Sequence, residues 1–428
     1  MTPETVRVGL LGCGNVGAPL VELIRRRHDD IAARTGLRLE VTRVAVRSLA
    51  RERPVELPDG VLTLDAAGLV VDPAIDVVVE VIGGIEPARE LILAALKAGK
   101  PVVTGNKELL ANVGAELFAA AEEAGVDLLF EAAVAGGIPF IRPLRESLAG
   151  ERIDRILGIV NGTTNYILTK MTEEGASYAD ALSEAQSLGY AERDPTADVE
   201  GYDAAAKAAI IASIAFGVRV VAGDVFHEGI ADITTADIDY AAKMGYVVKL
   251  LAVCERPAGG GVAVRVHPAM VPADHPLASV RDSFNALFVE GEAVGDLMFY
   301  GRGAGGSPTA SAVLGDLIDA ALNRARGSHA TVGALAKARI RPVDEVESAY
   351  YLNLDVLDRP GVLAAVAGIF GDHGVSIRSM EQEGLGDEAR LVFITHVARE
   401  ADVQATIRDL HHLDAVDRIT SVLRVVGR

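Results

Sequence analysis

Hydrophobic positions follow two rhythms along this chain. In the first third, short apolar runs alternate with stretches whose apolar residues recur every three to four positions, which predicts strands alternating with helices. Val6–Leu11, Leu39–Val46, Ile75–Ile82, Pro101–Thr104 and Asp127–Glu131 read as strands. The run IDVVVEVI at 75–82 is nearly continuous, as in a parallel sheet covered on both faces. Ala18–Arg27, Glu86–Ala98 and Ala111–Ala124 read as helices. The pattern predicts an α/β fold with a doubly wound, Rossmann-type sheet. Further on, Ile153–Val160 reads as a strand and Ser177–Leu188 as an amphipathic helix closed by Gly189. The apolar run Ala204–Ala222 is interrupted by Lys207 and Arg219, so it reads as a buried helix and not a membrane span. The tail returns to short elements. Strands at Tyr350–Val356, Val375–Met380, Leu391–Val397 and Ile419–Val425 enclose helices at Val362–Asp372 and Ala401–Leu410, in the order βαββαβ. Turns are expected at Asp358–Gly361 and Gly384–Asp387.

Candidate chemistry begins where the first strand ends. Gly12, Gly14 and Gly17 form G-x-G-x-x-G between a strand and a helix, with Asn15 and Val16 between them. The first glycine permits a tight turn, the second lets backbone approach a pyrophosphate, and the third lets helix and strand pack closely. The second strand ends at Arg47, with Arg51 and Arg53 nearby, where an NAD-preferring domain places an acid. Arginine suits a ribose 2′-phosphate, which favours NADP(H); a solvated basic loop is the alternative. Gly83 and Gly84 close the third strand, where a cofactor could lie against bare backbone. Lys107 stands just past a strand's carboxyl end, where open α/β sheets bind ligands.

The middle of the chain carries the acidic groups. Glu192, Asp194, Asp198 and Glu200 precede Asp203 and Lys207. Asp203 and Lys207 are four apart and share a helix face. An ammonium on a greasy helix costs several kcal/mol unless paired. Such a lysine is either one half of an ordinary helix ion pair or a proton-transfer group. Glu192, Asp198 and Asp203 are the acids expected to hold a substrate ammonium, while Asp194 precedes a proline and reads as turn chemistry. The turn Asn161–Asn165 either touches ligand or caps a helix. The small-residue bend after Glu131 either offers carbonyl oxygens to a hard cation or is a tight crossover between domains.

Composition narrows the class. A length of 428 residues suggests about three domains at about 150 residues each. A net charge of −19 argues against a general nucleic-acid binder. Two cysteines, Cys13 and Cys254, make no disulfide framework and suit a reducing cytoplasm. No secretory pattern opens the chain.

Six blocks together resemble bacterial homoserine dehydrogenases: GLLGCGNVG, TGNKELL, EAAVAGGIP, GIVNGTTNYIL, AERDPTADVEGYDAAAK and YGRGAGGSPTASAVLGD. The resemblance covers roughly the first 330 residues, in the family's order. It implies reversible reduction of L-aspartate 4-semialdehyde to L-homoserine with NADPH or NADH. Lys207 then matches the proton-donating lysine, and Lys107 the lysine beside nicotinamide and substrate. Glu192, Asp198 and Asp203 match acids that orient the substrate. Glu131 with the backbone of Val134, Gly136 and Ile138 matches a sodium site, and Gly303 matches a position near the cofactor. The DRPGVLA and HGVSI blocks resemble an ACT domain, which implies side-by-side pairing, a homodimer or homotetramer, and an amino-acid effector near Asp358–Gly361 and the following strand, with L-threonine the expected one; a dimerisation module without a ligand is the alternative.

The expected organisation is a dinucleotide domain over 1–132, completed by part of 300–330. An α+β substrate, catalytic and dimerisation domain then spans 133–330, a linker 331–348, and the ACT domain 349–428. Removal of residues after about 345 is expected to leave a threonine-insensitive enzyme. With the first strand starting at Val6, no preceding aspartate-kinase domain is expected. Two other readings fit the motifs: another NAD(P)-dependent dehydrogenase on this scaffold, and a sensor that binds dinucleotide and amino acid without turnover.

Overall fold

In the computed structural model, the described residues are 3–427 except 258, 331, 334, 338, 385 and 387. The expected linker 331–348 and the turn 384–387 each include residues outside that set. The chain divides into two compact units, each built from three stretches. The first comprises Met1–Asp154, Ala206–Val225 and Asn285–Ala338. The second comprises Arg155–Ala205, Phe226–Phe284 and Arg339–Arg428. Residues 133–330 are thus shared between both.

The first unit holds a six-stranded sheet. Its strands are β1 (Glu4–Leu11), β2 (Leu37–Ala45), β3 (Leu62–Thr63), β4 (Val77–Glu80), β5 (Val102–Thr104) and β6 (Leu128–Leu129). They lie in the order β3-β2-β1-β4-β5-β6, all parallel. This is the doubly wound order whose reversal beside β1 opens a crevice at the strands' carboxyl ends. Helices α1 (Gly17–Thr35), α2 (Ala66–Val71), α3 (Ala88–Lys97) and α4 (Lys107–Ala124) connect the strands. The helix Gly306–Arg326 returns to this sheet from far along the chain: Ala310, Val313, Leu317 and Ala320 share one core with Val8, Leu10, Leu20 and Val21.

The second unit is organised around a longer, mostly antiparallel sheet. Its strands include β7 (Ile153–Ile159), β8 (Tyr246–Glu255), β9 (Ala263–Pro272), β10 (Glu347–Leu357), β11 (Ile377–Gly384), β12 (Glu388–Thr395) and β13 (Val416–Val425). They run in the order β7-β8-β9-β13-β10-β12-β11. Helices α5 (Gly162–Glu174), α6 (Tyr178–Ser187), α7 (Tyr202–Phe216), α8 (Thr235–Lys243), α9 (Val362–Asp372) and α10 (Glu400–His411) complete it, α7 beginning in this unit and ending in the first. Strands β8 and β9 pair over ten residues each, Tyr246 opposite Pro272 and Glu255 opposite Ala263. Nothing in the sequence pattern had been assigned to them.

The C-terminal βαββαβ module forms as expected but is not set apart by its linker. Its last strand, β13, runs parallel to β9, with Ala269 opposite Arg424 and Met270 opposite Val425. Strand β10 is consequently buried on both faces. Tyr350, Leu352, Leu354 and Val356 point into the module's own core against Phe370 and Phe393. On the other face the Tyr351 hydroxyl lies 3.4 Å from Asp237, the acid that caps α8 and that also accepts the Ser421 hydroxyl. A cut after about 345 therefore strips a strand from beside β9 as well as removing the module. No helix among the described residues is long and apolar enough to cross a membrane.

Candidate active site

The site begins at the turn after β1. Gly12 has φ +97°, a conformation that L side chains rarely adopt. A Cβ on Gly17 would lie 2.2 Å from the Gly12 carbonyl, so α1 reaches the turn only because that position has no side chain. A Cβ on Gly14 would meet nothing within 4 Å. Helix α1 starts after Val16 with no side-chain cap and no acid in its first turn, which leaves its N–H groups for an anion. Each glycine thus has its own physical reason, and the arrangement fits a dinucleotide pyrophosphate. Asn15 braces the far side, its carbonyl 2.4 Å from where a Gly306 Cβ would be.

Glu80 organises the neighbouring strand end. This fully buried carboxylate accepts the N–H groups of Ile82 (2.8 Å) and Gly83 (3.1 Å) and the Thr104 hydroxyl (2.6 Å). It fixes the Gly83–Gly84 loop to the end of β5. Asn106 continues the linkage: its Nδ2 donates to the Gly84 carbonyl at 2.6 Å while its Oδ1 caps α4 by accepting Leu109 N–H. Lys107 is accordingly the first residue of α4 and not part of a loop, because Asn106 starts the helix four residues before the apolar pattern does. Sequence reading passed over Glu80 as a site residue. Its signal was present as an acid set between valines in the apolar run 75–82, which also holds Asp76 near its start.

These elements enclose a cleft of ≈ 290 Å³ lined by Gly83, Gly84, Lys107, Val134, Gly136, Lys207 and Gly303, among others. Lys107 and Lys207, a hundred positions apart, face the same space. The bend at Gly136 (φ +56°) packs against the second glycine run, a Gly136 Cβ position falling 2.2 Å from the Gly303 carbonyl. Gly137 N–H donates to Arg302 at 3.0 Å. Arg47 is exposed just beyond β2. Arg53 folds back onto its own loop, its guanidinium donating to the carbonyls of Ser48 and Arg51. Burial pushes the Cys13 thiol up, so it is no thiolate nucleophile at neutral pH.

The Glu131 carboxylate is fully engaged. It accepts the N–H groups of Phe140 (2.5 Å), Ile141 (2.6 Å) and Arg142 (2.9 Å), while the Glu131 N–H donates to Asp316 at 2.7 Å. Burial, with the Glu131 charge adding to it, pushes the Asp316 carboxyl up to about 7. Among the described residues no group of three or more His, Cys, Asp and Glu is placed to hold a metal.

The acidic residues gather in the second unit around Asn161. Its Nδ2 donates to Asp198 at 2.7 Å and to Asp203 at 2.9 Å, while its Oδ1 accepts Thr164 N–H and caps α5. The two alternatives for that turn, ligand contact or helix cap, are not exclusive, because an amide has both an acceptor and a donor end. Glu192 lies on the same loop with its side chain exposed. Asp194 accepts the backbone N–H and the hydroxyl of Thr196, as expected of turn chemistry. Asp203 and Lys207 follow one another by a turn of α7.

A parallel sheet of this order, ending at an uncapped helix above open space, with two lysines facing the same cleft, defines a dinucleotide-binding oxidoreductase. Residues 12–131 match the family model for the homoserine dehydrogenase NAD-binding domain, 139–318 that for homoserine dehydrogenase, and 350–414 that for the ACT domain. A homoserine dehydrogenase of Corynebacterium glutamicum is 52% identical over 427 residues, covering 99% of this chain and 96% of its own. The solved homoserine dehydrogenase of Thiobacillus denitrificans superposes with a TM-score of 0.94 at 43% identity, covering 100% of both chains. A hyperthermophilic archaeal homoserine dehydrogenase in complex with NADPH gives a TM-score of 0.64 at 32% identity, over 74% of this chain and 98% of that one. The chain belongs to the homoserine dehydrogenase family and carries a C-terminal ACT domain.

Proposed function

We propose that the protein reduces L-aspartate 4-semialdehyde to L-homoserine, reversibly, with NADPH as the preferred nucleotide. The observation that carries this reading is the cleft shared by Lys107, Lys207 and the bare backbone of Gly83, Gly84 and Gly303. A bound nicotinamide supplies a hydride there. Hydride addition to the aldehyde carbon leaves negative charge on its oxygen. Lys207 holds the proton that this oxygen takes up, and its ammonium stabilises the developing charge. Lys107, at the start of α4, lines the same space and would orient nicotinamide and substrate there. Asp198 and Asp203, held by Asn161, take the substrate ammonium, with Glu192 on the exposed side of that set. Gly12, Gly14, Asn15, Val16 and Gly17 seat the pyrophosphate, and exposed Arg47 reaches the 2′-phosphate.

A sodium ion at the bend 131–138 would be held by Glu131 with the backbone of Val134, Gly136 and Ile138, where the Glu131 carboxylate is already tied to the N–H groups of 140–142. The ACT domain binds an amino acid, with L-threonine the expected effector, at the exposed turn Asp358–Gly361. Its paired form makes a homodimer or homotetramer, and the buried free cysteines suit the cytoplasm. Assaying purified protein with homoserine and either NADP+ or NAD+ tests the activity directly. Turnover with another hydroxy acid but not homoserine would overturn it, and nucleotide binding without any turnover would favour the sensor reading.

A further inference from the structure

The acids that carry the proposed substrate contacts hang on a short stretch of chain with little support of its own. Asp198 lies in the short helix Thr196–Val199, Gly201 follows at φ +85°, and α7 then begins with Tyr202 and Asp203. What braces this turn is the segment 226–230. Ile230 N–H donates to the Val199 carbonyl at 2.8 Å, and His227 Nδ1 lies 3.0 Å from the Glu200 carbonyl. The His227 and Tyr202 rings sit 4.3 Å apart. A Cβ at Gly229 would fall 2.4 Å from the Val199 carbonyl, so the two segments are in backbone contact.

The brace is in turn gripped from the C-terminal module. Arg424, in β13, is buried, with its side chain 6% exposed. Its Nη1 lies 2.6 Å and its Nη2 3.3 Å from the two oxygens of Glu228. The same guanidinium reaches Glu400 with Nε at 3.0 Å and Nη2 at 2.9 Å, and the Tyr350 hydroxyl also donates to Glu400. Phe226 lies under the guanidinium, 5.4 Å from its centre. A planar fork that satisfies two carboxylates at once fixes both in direction as well as distance. Glu228 is the only one of the two that belongs to the brace.

We infer that Arg424 is a positioning residue for the substrate acids: through Glu228 it holds the 226–230 segment against the 199–201 turn, and so sets where Asp198 and Asp203 stand. The C-terminal domain then contributes to substrate binding in the absence of any effector. The inference rests on the proposed homoserine dehydrogenase activity. A displacement on the order of 1 Å at such a site can cost about 100-fold, so loosening the brace is expected to be visible in kinetics.

The test uses the full-length protein with no added amino acid effector and compares Glu228→Gln, Arg424→Met and the double variant. Glu228 is 40% exposed and lies outside the module's core, so its replacement tests the link without emptying a buried site. The expected result is a KM for homoserine raised about tenfold in Glu228→Gln and at least as much in Arg424→Met, with the KM for NADP+ within twofold of wild type. The double variant should be no worse than Arg424→Met, because both changes cut one link. A purely structural role would lower the melting temperature and the active fraction while leaving the homoserine KM unchanged, and that outcome overturns the inference. Equal rises in both KM values overturn it too. Wild-type protein that does not turn over homoserine removes the activity reading and this inference together, whereas an active wild type with an unaltered Glu228→Gln removes the inference alone.

Discussion

Asn161 and Asp203 meet at 2.9 Å, and the amide that donates to this carboxylate accepts, through its other end, the N–H that starts α5. One side chain thereby ties helix initiation to the direction of an acid in the proposed substrate site. Asn161→Asp separates the two roles. It keeps an oxygen for the cap but sets a third carboxylate beside Asp198 and Asp203, which then repel it. The homoserine KM should rise about tenfold, with a cap loss well below the about 1 kcal/mol of Asn161→Ala. Steady-state kinetics with thermal melts of both variants check this, and an unchanged KM in the aspartate variant would count against the acid cluster as the ammonium site.

Lys207→Ala is expected to lower kcat by about 10²–10⁴-fold, the usual range for loss of a general acid. NADPH binding, followed by its fluorescence, should persist, since the pyrophosphate turn is untouched. Parallel loss of nucleotide binding would mark Lys207 as a support for the cleft and not a participant in reduction.

Two glycines at the start of α1 should fail in different ways. Gly14→Ala adds a methyl to open space, so it should melt like wild type but bind NADPH more weakly. Gly17→Ala drives a methyl against the Gly12 carbonyl 2.2 Å away, and overpacking of this kind costs about 1–3 kcal/mol. Denaturant melts beside nucleotide titrations separate the two, and equal stability loss in both would contradict the assigned roles.

Truncation after Glu345 removes β10 and β13 together. It exposes β9 along the edge that β13 covers and takes Tyr351 and Ser421 away from the fully buried Asp237. Exposed strand edges and orphaned buried acids promote aggregation and unfolding. Size-exclusion chromatography should show association or a lower yield of folded protein, with homoserine activity reduced even where effector sensitivity is gone. A monodisperse fragment with full activity would show the module to be dispensable.

His267 in β9 is fully enclosed next to Arg424 and Arg265, and burial, with those two charges adding to it, holds its pKa well below the usual histidine value. In the unfolded chain it takes up a proton near pH 6.5. Between that pH and the lower folded value the unfolded state binds more protons, so stability falls as the pH drops, by about 1.4 kcal/mol per pH unit. Urea melts between pH 7.5 and 5 should show His267→Gln losing stability less steeply than wild type. A steeper loss would mean that the histidine is protonated in the folded protein.

Much of the fold was legible because it is written locally. The apolar run at 75–82 and the glycine spacing at 12–17 report neighbours within one turn or one strand, and both elements appear where the pattern put them. Helix α9 matches its expected span of Val362–Asp372, bounded by Gly361 and a C-terminal glycine-histidine turn. The β8–β9 pair was invisible for the opposite reason. Its burial comes from both faces, so no alternation marks it, and only its partner strands define it. Lys107 showed as a residue past a strand end, but its place at a helix start depends on Asn106 bonding to Gly84 twenty-two positions earlier.

Taken alone, the order of residues determined the elements, the dinucleotide turn and the family, because periodicity, glycine positions and motif blocks are properties of short stretches. Tertiary structure decided that Lys107 and Lys207 share a cleft, that Asn161 aligns two acids, and that β13 joins β9 and brings Arg424 to Glu228. Those contacts join segments separated by tens to hundreds of residues, and such pairings are set by which surfaces bury each other, a quantity no local pattern carries.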